Sequence, residues 1–387
     1  MTRSGTGVAC LAALAVLVLA TAVGLVILRP NGSRDKRVPD APQAQTESAV
    51  VAAVTDVPCR DPFSRRCATV EARLASGPDQ GDTVMLDVAD AVPEPGDELR
   101  LFHVEVPPDI ETGPDFQEYA LADFERRQPL LWLALAFAFA VIALGRWRGL
   151  RALAGLALSL AVVLLFVVPA ILDGRSPLAV AVVGALAVML VAIALAHGIG
   201  PKTIAAALGT AVCLSLTVAL AVLFTDLAHI TGFASEEASL LRTNVQGLSL
   251  EGLVLAGMVI AALGVLDDVT VSQASTVIAL RHANPAQGFG LLFRRALSVG
   301  RDHIAATVNT LVLAYAGAAL PILLVFSVGG ASFGQAINSE AVAANVVGTL
   351  VGSLGLVAAV PVTTALAALL ATRLPPDALR DEHAHVH

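Results

Sequence analysis

Leu248-Ser-Leu-Glu-Gly-Leu-Val-Leu-Ala-Gly-Met-Val-Ile-Ala-Ala-Leu-Gly-Val-Leu-Asp-Asp-Val-Thr-Val-Ser-Gln-Ala-Ser275 decides how the whole chain is read. Up to Leu266 its only charge is Glu251; two adjacent carboxylates, Asp267 and Asp268, then precede Thr270, Ser272, Gln273 and Ser275. The apolar part has about the length of a membrane-spanning helix, which needs roughly 20 such residues. A carboxylate at membrane depth costs several kcal/mol, so ionisable residues placed there face a bundle interior and commonly serve transport. The fold therefore depends on whether the rest of the chain also belongs in lipid.

Composition says that it does. The 387 residues are 56% hydrophobic and 14% charged, against about a quarter charged in soluble domains. The charge is concentrated: residues 30–128 hold twenty Asp/Glu and ten Lys/Arg, a net −10 within a total of −8. No basic face of the kind nucleic acid needs is present. Further apolar runs occur at Val8–Leu28, Leu130–Gly145, Ala152–Leu172, Leu178–Ala196, Thr203–Phe224, Ile304–Val328 and Ala341–Ala371. With Leu248–Leu266 they make eight expected spans, the last with Pro361 as a candidate bend. Val8–Leu28 exceeds the apolar core of about 7–15 residues in a cleavable signal and is read as an uncleaved anchor.

These runs predict a mostly α, polytopic helical membrane bundle with a small β-barrel-like domain outside it. The expected parts are an anchor at 1–28, a tether at 29–47, a β-rich domain at 48–128, a seven-helix membrane domain at 129–373 and a tail at 374–387. Arg146, Arg148, Arg151, Lys202, Arg281, Arg294, Arg295, Arg301, Arg373 and Arg380 fall on one side of the membrane, and Arg175 and Arg242 on the other. Basic short loops stay inside, which predicts a bacterial plasma-membrane protein with both termini cytoplasmic. Arg29, Arg34, Lys36 and Arg37 after the first run run against that rule, which long translocated domains follow weakly. Short alternating runs at 49–55, 68–74, 83–88 and 98–106, separated by turn residues such as Gly77-Pro78, predict an OB-like or SH3-like barrel. Cys59 and Cys67 either form a disulfide in an oxidising space or stay reduced. Cys10 and Cys213 read as buried apolar filler.

Asp267 and Asp268 are expected at the cytoplasmic end of the sixth span. Two neighbouring carboxylates repel each other, which suits them to hold a proton. The competing reading makes them the cap and first turn of a separate interfacial helix. Arg301-Asp302-His303 opens the seventh span, and Asn309 and Tyr315 follow it. Gly257 and Gly264, with the Gly348-x-x-x-Gly352 pattern of the eighth span, would let helices approach closely. Residues 276–303, with Phe289, Phe293, Arg294 and Arg295, form an amphipathic basic segment suited to an anionic lipid surface or to a plain connector. His383, His385 and His387 form a weak metal-like tail and read as solvated. There is no P-loop, H-E-x-x-H or G-x-S-x-G, so the chain reads as no enzyme, with neither cofactor nor metal. Its expected partners are the lipid bilayer and an envelope protein at the outside domain; oligomeric state stays open.

Gly264-Val-Leu-Asp-Asp-Val-Thr-Val-Ser-Gln-Ala-Ser275 and Gly300-Arg-Asp-His-Ile-Ala-Ala-Thr-Val-Asn-Thr-Leu311 resemble the YibE/F family of bacterial membrane proteins in its actinobacterial form. The resemblance implies the anchor, the outside domain ending in Tyr119, Asp123, Arg126 and Arg127, and the helical block; it implies no established activity. Asp267-Asp268-Val-Thr270, Arg301–Thr310 and Gly348-Thr349 through Pro361 are also similar to the closing half of SecF-type subunits of the RND superfamily, whose relatives couple proton flow to movement. Together these predict a transport-associated envelope protein. Asp267, Asp268 and Asp302 would exchange protons, with Thr270, Ser272, Asn309 and Tyr315 as polar partners. The rival expectation is a non-transporting scaffold whose outside domain binds an envelope partner.

Overall fold

The computed structural model describes residues 5–32, 46–104, 118–198, 200–234 and 236–373. Most of the tether and the histidine tail lie outside the described residues. The chain divides into two compact units, residues 40–144 and residues 1–39 with 145–387.

The first unit is built on a five-stranded antiparallel sheet. Its strands are β1 (Thr46–Val57), β2 (Cys67–Leu74), β3 (Thr83–Ala89), β4 (Glu98–His103) and β5 (Tyr119–Phe124), in the order β3-β2-β1-β4-β5. Alternation drives it: Ala68, Val70, Ala72 and Leu74 of β2 are buried, while the intervening residues are not. Period-two burial of this kind puts one face on a core. The sheet curls until β3 and β5 touch, giving the expected barrel-like domain as a half-barrel. Bulges in β1 at Val51–Ala53 and near Arg100–Leu101 supply local bends, as an extra residue in one strand does. The sequence reading missed β5. Tyr119 opens it fully buried, and its hydroxyl donates to Asp79 at 2.8 Å; burial and that acceptor push its ionisation up. Beyond the strand, Arg127 beside Glu125 holds that carboxyl down to about 2. The Cys59–Cys67 disulfide is formed, with Cα atoms 5.2 Å apart.

The second unit is helical. Its elements are α1 (Gly5–Ile27), the later part of α2 (Arg127–Val162), a π turn (Val163–Val167), α3 (Val168–Leu172), α4 (Pro177–His197), α5 (Pro201–Leu227), α6 (Glu236–Asn244), α7 (Leu250–Ala283), α8 (Phe289–Ala318), α9 (Leu320–Val328), α10 (Phe333–Asn338) and α11 (Glu340–Arg373). Six of these segments are long and apolar enough to cross a membrane, and α8 with α9, bent by 56°, makes a seventh. Of the eight expected spans, Leu130–Gly145 and Ala152–Leu172 lie in one continuous segment, Arg127–Leu172, in which two helices meet across a kink at Arg146, whose backbone is non-helical. Pro361 lies inside the continuous α11, whereas the bend between α8 and α9 comes beside Pro321, early in α9.

The core of this unit is the mutual packing of α5, α7 and α11, with α4 against α7 and α8 against α11. Cys10 and Cys213 are buried in it, as expected of small apolar filler. Gly257 and Gly264 do not make the close helix contacts expected of them: a Cβ on either meets nothing within 4 Å. Close approach happens elsewhere. A Cβ on Gly355 would stand 2.1 Å from Thr217 Oγ1, and one on Gly209 2.2 Å from Thr363 Oγ1. Gly348 and Gly352 do face neighbours, Met258 and Leu311, at ordinary contact distances of 3.4 and 3.6 Å.

Candidate functional site

α7 gathers polar residues on two adjacent faces. The helix starts cleanly: Ser249 Oγ accepts from the Gly252 N–H at 3.0 Å, and Glu251 sits in the first turn. Arg281 and His282 occupy the last turn, so both ends complement the helix dipole. Nothing interrupts it between, and Asp267 lies about 26 Å from Leu250. The expected end of the span at Leu266 is thus corrected, since the helix continues to Ala283. The reading of Asp267 and Asp268 as caps of a separate helix falls with it, because a mid-helix backbone has no free N–H groups to cap.

One face of α7 opens onto a cleft of about 480 Å³. Gly264, Asp267, Asp268 and Val271 form its α7 wall; Leu156, Ser159 and Leu160 of α2, the π turn and the stretch of α4 around Gly184 form the others. The π turn has a local cause. Pro169 has no N–H to donate to Leu165, and the Val168 N–H reaches back to the Val163 carbonyl, five residues away, the wide register of a π bulge. Gly184 admits it, since a Cβ there would stand 2.7 Å from Val167 Cγ2. The walls are apolar apart from the two carboxylates and Ser159, and Ser159 Oγ donates to the Gly155 carbonyl at 2.8 Å. No Lys, Arg or His is among the lining residues. Asp267 Oδ1 is sealed from solvent and has no hydrogen-bond partner among the described residues. Asp268 beside it is exposed. An unpaired carboxylate so placed is costly unless a proton or a cation neutralises it.

The adjacent face carries a buried polar seam. Thr270 Oγ1 and Thr210 Oγ1 of α5 lie 2.6 Å apart, and Thr364 of α11 donates to Gln273 Oε1 at 3.0 Å. Thr210, Thr270, Thr363 and Thr364 are fully buried, and Gln273 is 2% exposed. Gly300 of α8 closes over Gln273, whose Nε2 would be 2.6 Å from a Cβ there. Most hydroxyls in the seam are satisfied within it or by the preceding turn, as Thr210 and Thr217 are by the Ala206 and Cys213 carbonyls. Thr363 Oγ1 and Ser353 Oγ lack partners among the described residues.

The structure does not bring all the expected site residues together. Asp267 and Asp268 share the cleft, whereas Thr270 belongs to the seam. Ser272 is half-buried and donates to the Val269 carbonyl at 3.0 Å. Asp302 and Asn309 are exposed on α8, Tyr315 is half-buried near Gly348, and none of the three lines the cleft. The expectation of one pocket between the sixth, seventh and eighth spans is corrected, because α4 and the stretch around the π turn occupy the acidic face of α7 while α8 packs on α11. The sequence reading expected the Thr203–Phe224 span, which is α5, but did not place it in the seam. Its signal was the heptad Thr203-Thr210-Thr217, one buried stripe of a helix. It also missed the α2 and α4 walls, whose Leu, Val, Ala and Gly look like any lipid-facing helix.

A family model described as YibE/F-like protein matches residues 133–373. The chain belongs to the YibE/F-like family. The match takes in α4, α5, α7, α8 and α11, and so both the cleft and the seam of this YibE/F-like protein. No curated protein and no solved structure matches the chain.

Proposed function

We propose that this membrane protein works in transport at the cell envelope and that Asp267 and Asp268 bind and release the coupling proton. One observation supports the reading: Asp267, whose Oδ1 is sealed from solvent without a hydrogen-bond partner among the described residues, lines an apolar cleft of about 480 Å³ beside a second carboxylate. Proton uptake removes the uncompensated charge, and loss of the proton restores it, so occupancy of the site biases the packing of α7 against α4 and the π turn. Bistable helix packing of this kind is how small changes in charge become motion. A bulge in a helix is also a common place for movement at functional sites. Asp302, Asn309 and Tyr315 lie outside the cleft, and the mechanism does not use them. The orientation with both termini cytoplasmic, in a bacterial plasma membrane, would place the sheet unit outside the cell.

The test is proton flux. Purified protein in liposomes, loaded with a pH-sensitive dye and given an imposed pH gradient, is expected to dissipate that gradient. The double variant Asp267→Asn, Asp268→Asn should fall at least tenfold, to the rate of protein-free liposomes. Equal rates for the two proteins would remove the carboxylates from the mechanism and leave the scaffold reading.

A further inference from the structure

The cleft also has the chemistry of a ligand site. We infer that it binds an amphiphilic organic cation, a delocalised or quaternary positive charge on an apolar body, with Asp267 and Asp268 as counter-charge. The inference rests on the proposed transport role and names its substrate class. Three features support it. The volume of about 480 Å³ falls in the range of small-molecule pockets, roughly 300–1,000 Å³. The charge is one-signed, because the lining residues include two carboxylates and no Lys, Arg or His. The remaining wall is almost entirely aliphatic, and its one hydroxyl, on Ser159, donates to a backbone carbonyl.

That composition separates organic from inorganic cations. A sodium, calcium or magnesium ion stripped of water wants about six or more oxygen ligands. Two carboxylates and a committed hydroxyl supply too few. An organic cation asks for less: its charge needs only a nearby anion, and its apolar body gains by leaving water for Leu and Val surface. The access route has the same character. Leu156 and Leu160 at the cleft are each 56% exposed, so the mouth of the cleft offers apolar side chains to a ligand dissolved in the bilayer, beside the exposed Asp268. Gly264 leaves the α7 wall open, with nothing within 4 Å of a Cβ built on it.

The experiment uses tetraphenylphosphonium as probe and the full chain in nanodiscs, with binding to empty nanodiscs subtracted. Saturable binding near one equivalent per chain is expected. It should weaken at least tenfold in Asp267→Asn, Asp268→Asn. It should weaken as much in Gly264→Leu, which fills the cleft and keeps both acids. Neutral triphenylphosphine oxide should bind at least tenfold more weakly than the cation. Non-saturable binding, binding indifferent to both variants, or equal binding of the neutral compound would overturn the inference. So would displacement of the probe by sodium or calcium one-for-one. Absence of probe binding while dye-reported proton flux still depends on the two carboxylates would sink this substrate class and leave the proton-coupled reading standing.

Discussion

The two polar faces of α7 differ in one respect that outweighs their similarity. On the seam side, Thr270 and Gln273 are buried and hydrogen-bonded to Thr210 and Thr364 on neighbouring helices. On the cleft side, Asp267 lines an apolar cavity and its sealed Oδ1 has no hydrogen-bond partner among the described residues. Both are polar groups inside a helix bundle, but a satisfied group has spent its hydrogen-bonding capacity on the fold. An unsatisfied one keeps it for something that arrives and leaves. Satisfied neutral hydrogen bonds contribute about 0.5–1.5 kcal/mol each, whereas a buried unpaired charge lowers stability. The seam holds helices together, and the cleft is where stability has been given up.

This contrast breaks most sharply at the acids. Replacing both Asp267 and Asp268 by Asn should remove at least tenfold of the proton flux and leave the thermal midpoint of the purified protein unchanged or higher. A large fall in that midpoint would mean that the carboxylates are structural and that the two faces do not differ. The next largest effect should separate two glycines. Gly355→Ala pushes a methyl against Thr217, 2.1 Å away, and should cost about 1–3 kcal/mol by overpacking. Gly264→Ala has open space and should be neutral or stabilising, by up to about 1 kcal/mol from helix propensity. Denaturant unfolding in detergent reads both, and equal effects would show that the seam is not the tighter face.

Smaller effects sharpen the seam itself. Gln273→Leu leaves the buried Thr364 hydroxyl without its acceptor and should cost about 1–3 kcal/mol. Proton flux, measured in the same preparation, should stay within twofold of wild type. Thr210→Val removes one of two hydroxyls 2.6 Å apart, while Thr270 Oγ1 keeps the Asp267 carbonyl at 3.1 Å. The loss should therefore be the smallest of the series, about 0.5–1.5 kcal/mol. If either seam variant abolishes flux while the protein stays folded, the path runs through the seam rather than the cleft.

Much of the architecture was legible along the chain. Apolar runs of span length read directly as helices because lipid leaves the backbone no other way to satisfy its N–H and C=O groups. Alternation over 49–55, 68–74, 83–88 and 98–106 read as strands for the same local reason, that side chains in a strand alternate. β5 escaped because Tyr119-Ala-Leu-Ala-Asp-Phe124 is short and sits just before a basic pair. The continuation of α7 was one of two readings, because two carboxylates also look like a helix boundary when nothing shows that a cleft receives them.

The order of residues thus determined the membrane class, the sheet unit, the rough limits of four of its five strands, and the presence of two adjacent carboxylates at the end of an apolar run. Only the tertiary structure decided which helices those carboxylates face. It replaced α8 by α4 and the helix carrying the π turn, moved Thr270 and Gln273 into a seam with α5 and α11, and left Asp302 exposed. The physical reason is that apolar periodicity reports which side of a helix avoids water, and in lipid nearly every side does. The choice of neighbour then falls to steric detail. Gly209, Gly300 and Gly355 admit particular side chains, and Pro169 widens a turn; such fits exist only once the helices are packed.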